Sequence, residues 1–98
     1  MRVNELRKEL IRELGIDLNE MYIRRCQSQG LLQKVTREKN NYRHYDRRMV
    51  EQIKMIGCLK MIGSTLREMQ RIIDGDKEYR EEKIKVAEQA IKYLKENL

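Results

Sequence analysis

The sequence predicts a mostly α-helical protein: a winged helix-turn-helix followed by one long terminal helix. Three observations carry this. Apolar residues recur at steps of three and four through most of the 98 residues, and the chain contains no proline. A glycine separates the first two helical stretches by a short turn, the outline of a helix-turn-helix. Residues 31–45 break the helical period and read as two short strands around a polar turn, and this segment is strongly basic.

The first helix is expected over residues 4–14, where Leu6, Leu10, Ile11 and Leu14 fall on one face. Gly15 stops it. Asp17 with Glu20 three residues on resembles a capping box, which places the start of the second helix near Leu18. That helix runs to about Gln29 and ends at Gly30. Leu31, Leu32, Val35 and Thr36 then lead into the turn Arg37-Glu38-Lys39-Asn40-Asn41, and Tyr42-Arg43-His44-Tyr45 returns. Such a hairpin is too short to stand alone and must lean on the helices. Regular pleating puts Arg43 and Tyr45 on one face and Tyr42 and His44 on the other, so one of the two tyrosines belongs to the core.

Asp46 is placed to cap a third helix, with Val50, Ile53, Ile56 and Met49 turned inward and Gly63 at its end. Thr65 and Glu68 form a capping box for a short fourth helix carrying Leu66, Met69, Ile72 and Ile73. Asp74-Gly75-Asp76 breaks the chain again. The last stretch places Ile84, Ala87, Ile91, Leu94 and Leu98 at alternating steps of three and four, an a/d pattern of about two heptads. Pairing with a second copy is the simplest use of that stripe; packing back on its own domain is the alternative. The expected division is residues 1–75 as the winged helix-turn-helix domain and 76–98 as a coiled-coil dimerisation helix.

The charge is unevenly placed. Residues 24–48 hold Arg24, Arg25, Lys34, Arg37, Lys39, Arg43, Arg47 and Arg48 against only Glu38 and Asp46. The net +6 of the whole chain therefore sits in that stretch, and the remainder is balanced. Local positive charge interleaved with Tyr42 and Tyr45 suggests a surface built to meet a polyanion. The plainer alternative is a solvated basic loop on an ordinary helical protein.

Other classes are disfavoured. No apolar run approaches the roughly 20 residues that span a bilayer, and the charged start MRVNELRKEL is no secretory signal. A cytoplasmic protein without membrane contact is expected. Two cysteines and no export signal argue against a disulfide framework. Cys58 is expected to be a small buried apolar residue, and Cys26 to lie nearer the basic surface. There is no Gly-rich phosphate loop, no Ser/His/Asp set and no paired-His metal motif, so no enzyme, cofactor or metal is expected. His44, the one histidine, reads as a polar surface residue. Acids on the terminal helix alternate with bases, as in Glu81/Lys85 and Glu88/Lys92, the mark of a solvated face.

The order of elements and the local wording resemble the MerR family of bacterial transcription regulators. Gly30-Leu31-Leu32 is similar to the end of that family's recognition helix. Arg37 through Asn41-Tyr42-Arg43-His44-Tyr45-Asp46 resembles its wing. Val50 to Ile73, with Ile53, Ile56, Leu59, Ile62-Gly63, Leu66, Glu68-Met69 and Ile72, is similar to its third and fourth helices. The resemblance covers residues 3–73. Where the family usually has Thr-Leu-Arg-Tyr-Tyr, this chain reads Tyr22-Ile23-Arg24-Arg25-Cys26, and the interval from Asp17 to Gly30 is two residues longer than usual. Ser64 stands where the family has an aromatic.

The resemblance implies a sequence-specific transcriptional regulator that binds double-stranded DNA as a homodimer. Its second helix would enter the major groove while the wing grips phosphates. Carried over by position, the DNA-binding set is Tyr22, Arg24, Arg25, Arg37, Lys39, Tyr42, Arg43 and His44. Arg24 matches a helix residue at the DNA; Arg25 replaces a tyrosine and offers a planar donor fork to phosphate or guanine, or else is a plain surface charge. Arg37 and Arg43 match wing residues at the backbone, where contacts set register and affinity rather than sequence choice. Tyr42 is expected with its ring buried under the wing and its hydroxyl outward. The dimerisation set is Ile84, Ala87, Ile91, Leu94 and Leu98. No small-molecule effector is evident: either nothing small is sensed, or the chain is a fragment. Two other roles fit the same residues: an excisionase-like or architectural DNA-binding factor of a mobile element, or a basic helical protein-interaction module.

Overall fold

The computed structural model describes residues 1–32, 36–40 and 42–97, with Thr36 and Arg37 described through their backbone alone. Lys34 and Val35 of the expected first strand, Asn41 of the turn and Leu98 of the terminal helix lie outside the described residues. The elements run α1 (Val3–Leu14), α2 (Glu20–Ser28), β1 (Thr36–Arg37), β2 (Arg43–His44), α3 (Arg47–Met61), α4 (Leu66–Ile73) and α5 (Lys77–Asn97). This is the mostly helical, winged helix-turn-helix class that the sequence predicts. The chain forms two compact units, Met1–Ser64 and Thr65–Leu98.

In the first unit, α1 buries Leu6 and Leu10 completely. Ile11 and Leu14, expected on the same inward face, are 50 % and 41 % exposed. Glu9 is buried instead, because it faces two cations of α3. The Arg47 guanidinium donates to its carboxylate through Nη1 and Nη2, at 3.1 and 3.3 Å. Lys54 Nζ lies 3.3 Å from Glu9 and 2.6 Å from Glu13. The Arg47 hydrogen bond comes first among the causes that hold the Glu9 carboxyl below its ordinary range, and the Lys54 hydrogen bond does the same for Glu13. Gly15 closes the helix at φ +66°, in the left-handed region that glycine enters without a Cβ penalty, and its N–H donates to the Ile11 carbonyl.

The second helix starts later than the Asp17–Glu20 pattern predicts. Asn19, not Asp17, is its cap: the Tyr22 N–H donates to Asn19 Oδ1 at 2.8 Å. Asp17 is occupied elsewhere, paired with Arg7 at 3.1 Å. Ile16 and Leu18 are both buried, and an i, i+2 pair shares a face only on extended backbone. Their side chains pack against α3 at Gly57, where an added Cβ would meet Ile16 and Leu18 at 3.4 Å. Residues 16–19 therefore form an extended link before the helix begins.

Helix α2 buries Ile23 and Cys26 on its inner face. The wing is a two-stranded antiparallel ladder pairing Thr36 with His44 and Arg37 with Arg43. It gains a neighbour from the start of the chain: the Tyr45 N–H donates to the Met1 carbonyl at 2.7 Å, and the Met1 amine donates to the Tyr45 carbonyl at 3.0 Å. Tyr45 is the core tyrosine. Asp46 caps α3, accepting from the Met49 N–H at 2.9 Å, and α3 buries Met49, Val50, Ile53, Ile56 and Leu59. Each such side chain contributes about 1.5–3 kcal/mol. The cysteines reverse their expected places: Cys26 is buried and Cys58 exposed. Cys26 lies one turn from Ile23 on the inward stripe, whereas Cys58 falls about 100° from both Gly57 and Leu59, turned off the face that Ile53 and Ile56 bury.

In the second unit, Thr65 and Glu68 form the expected capping box at the start of α4. Glu68 also accepts from the Tyr79 hydroxyl at 2.5 Å and from Lys83 Nζ at 3.1 Å, which ties α4 to α5. The Arg71 guanidinium sits 4.0 Å over the Tyr79 ring and bonds Asp76 at 2.9 Å. Asp76 in turn accepts from the Tyr79 N–H at 3.0 Å at the start of α5. Over its 21 residues α5 buries no side chain.

Candidate nucleic-acid interface

The cap at Asn19 fixes the rotation of α2. With Ile23 and Cys26 inward, Arg24 and Arg25 point outward. Arg43 reaches α2 from the wing, its Nη1 donating to Gln27 Oε1 at 2.6 Å. Helix and wing are joined there. An open depression of about 740 Å³ lies between them, lined by Asn19, Met21, Tyr22, Arg24, Arg25, Ser28 and Arg43. A second, of about 540 Å³, is lined by Arg2, Val3, Asn4, Glu20, Arg24, Tyr42 and Arg43. Arg24 and Arg43 belong to both. The guanidinium groups of α2 and of the wing therefore meet on one surface.

The expected residues are placed as follows. The Tyr22 ring carries Lys60 Nζ 3.9 Å above its face, and burial pushes the Tyr22 hydroxyl pKa up. Arg24 is paired with Glu20 one turn back, Nη2 to Oε1 at 2.7 Å. Tyr42 does not bury its ring: it is 56 % exposed, and the Arg2 guanidinium stacks 4.1 Å over it. The two-residue ladder begins at Arg43, so Tyr42 precedes the strand and is not held against the core. Lys39 is exposed in the turn. His44 lies beside the Met1 amine, 3.1 Å from its Nδ1, and 3.9 Å from Glu38; neither Lys39 nor His44 lines either depression. The backbone of Arg37 pairs with Arg43 in the ladder. Beneath the surface, burial pushes the Tyr45 hydroxyl pKa up while the nearby Arg43 guanidinium opposes the shift.

Several participants escaped sequence reasoning. Arg2 joins the face from the start of the chain, stacked on Tyr42 and bonded to Glu38 at 3.0 Å. Gln27 orients Arg43, and Glu20 neutralises Arg24. Only the i,i+4 spacing of Glu20 and Arg24 was readable in advance. The rest depend on contacts between residues far apart in the chain. No helix among the described residues is long and apolar enough to cross a membrane.

A family model described as MerR HTH family regulatory protein matches residues 7–76. No curated protein and no solved structure matches the chain significantly.

Proposed function

The chain belongs to the MerR HTH family of regulatory proteins, and from that premise we propose that it is a sequence-specific transcriptional regulator that binds double-stranded DNA as a homodimer. In this reading α2 enters the major groove and the wing lies along the phosphate backbone. The observation that supports it is the sharing of both depressions by Arg24 of α2 and Arg43 of β2. A helix and a hairpin that present cations to one surface match the groove-plus-backbone footprint of this motif class. Arg25 and Tyr42 extend the backbone contacts and Tyr22 borders the helix side, while Arg37, Lys39 and His44 enter the proposal only as wing residues of the expected set.

Dimerisation through residues 76–98 completes the proposal. Ile84, Ile91 and Leu94 of α5 are 43 %, 50 % and 51 % exposed, with Ala87 between them on the same stripe. A second copy of α5 would cover them and set two recognition helices at successive major grooves, about 34 Å apart. The regulator reading is tested by titrating the protein against duplex DNA at two salt concentrations. Binding should weaken steeply with salt, with a logarithmic slope of about −0.9 per phosphate contact. An absence of binding at low salt would leave only the protein-interaction role.

A further inference from the structure

Four arginines line the two depressions, Arg2, Arg24, Arg25 and Arg43; among the described residues the carboxylate that lines them is Glu20, while Glu38 stands at the edge, 3.0 Å from Arg2. We propose that Glu20 is a specificity-determining residue: an internal counter-charge that suppresses binding to DNA of arbitrary sequence. This rests on the DNA-binding reading given above.

Glu20 is the first residue of α2. The N-terminal residues of a helix docked in the major groove are those that approach base edges. Its Oε1 lies 2.7 Å from Arg24 Nη2, so the free protein presents that guanidinium already partnered. A phosphate that recruits Arg24 must displace the carboxylate or accept its repulsion. Sequence-independent binding depends almost wholly on phosphate contacts, so this cost falls on it in full. A correct site has a means of offsetting it. An exocyclic amino group in the major groove, such as cytosine N4, donates to a glutamate and takes up the carboxylate as Arg24 turns to the DNA. Discrimination then comes chiefly from penalising wrong sequences.

The test compares wild type, Glu20→Gln and Glu5→Gln. Glu5 is an exposed carboxylate on α1 that lines a different depression with Lys8 and Arg12, so its replacement makes the same change in net charge away from the face. Affinities are measured for a random duplex and for a duplex selected by the wild-type protein from a random library. Glu20→Gln should tighten binding to the random duplex roughly three- to tenfold and narrow the selected-to-random ratio by a similar factor. Glu5→Gln should leave that ratio unchanged. Equal tightening on both duplexes, or none, would overturn the proposal. So would weaker binding to both together with lost helicity in circular dichroism, the result expected if Glu20 only stabilises α2. If the wild-type protein binds no duplex at low salt, the DNA-binding reading itself fails, and this inference falls with it.

Discussion

Arg43 and Arg24 share a surface but are held differently, and the difference predicts different roles. Arg43 is oriented by a neutral partner, Gln27 Oε1 at 2.6 Å. Its charge is uncompensated by that bond and suits a phosphate oxygen. Arg24 projects from the middle of α2 with Glu20 as its partner. Loss of a phosphate contact weakens binding to all sequences alike, whereas a guanidinium on a base edge carries sequence information. Arg43→Ala should therefore reduce affinity for selected and random duplexes by the same factor. Arg24→Ala should cost about 1–3 kcal/mol on the selected site and less on random DNA. Parallel losses from the two variants, in a filter-binding or anisotropy titration, would remove Arg24 from base reading.

At the scale of elements, one carboxylate gathers two of the side-chain bonds that tie α4 to α5, beside the contact of Arg71 with Tyr79. Glu68 accepts from the Tyr79 hydroxyl, the Thr65 N–H and Lys83 Nζ. These bonds, the Tyr79 hydroxyl first, lower its pKa from 4.5 to about 2. A depressed folded-state pKa means that the stabilisation is complete above 4.5 and is lost as pH falls from 4.5 towards 2. Glu68→Gln should lower the thermal midpoint at neutral pH, and the gap to wild type should close across that window. A gap independent of pH would assign the effect to packing. Elements whose signals are local were legible in the sequence: the Asp46 cap, the Thr65–Glu68 capping box and the Gly15 stop all act within a few residues. The start of α2 was not, because burial of Ile16 and Leu18 against Gly57 overrode the local signal at Asp17. The same holds for Arg2. Its partners Glu38 and Tyr42 lie beyond β1, and no periodicity links positions so far apart. The cysteine reversal has a simpler cause: at helical spacing, being next to a core position turns a side chain about 100° away from it.

For the whole molecule, assembly turns on what covers α5. The sequence placed the apolar stripe at Ile84, Ala87, Ile91 and Leu94, and these side chains are at least partly exposed in the single chain. Val86 and Tyr93 are exposed as well, seven residues apart on a different face that the heptad reading did not include. If α5 pairs with a second copy along the expected stripe, Ile84→Asp combined with Ile91→Asp should give monomers by sedimentation at concentrations where wild type is dimeric. Substituting Val86 and Tyr93 in the same way should leave the dimer intact. Dimers that survive the first pair of changes and not the second would move the interface to the other face.

The joint between helix and wing supports the DNA-binding reading, and salt dependence measures it most directly. Each phosphate contact contributes about 0.9 to the slope of log affinity against log salt. Converting Arg43 to Ala should reduce that slope by about 0.9, and converting Arg24 as well should reduce affinity further on the same duplex. A slope unchanged from wild type in the double variant would mean that these two arginines, although they meet on one surface, do not face the DNA.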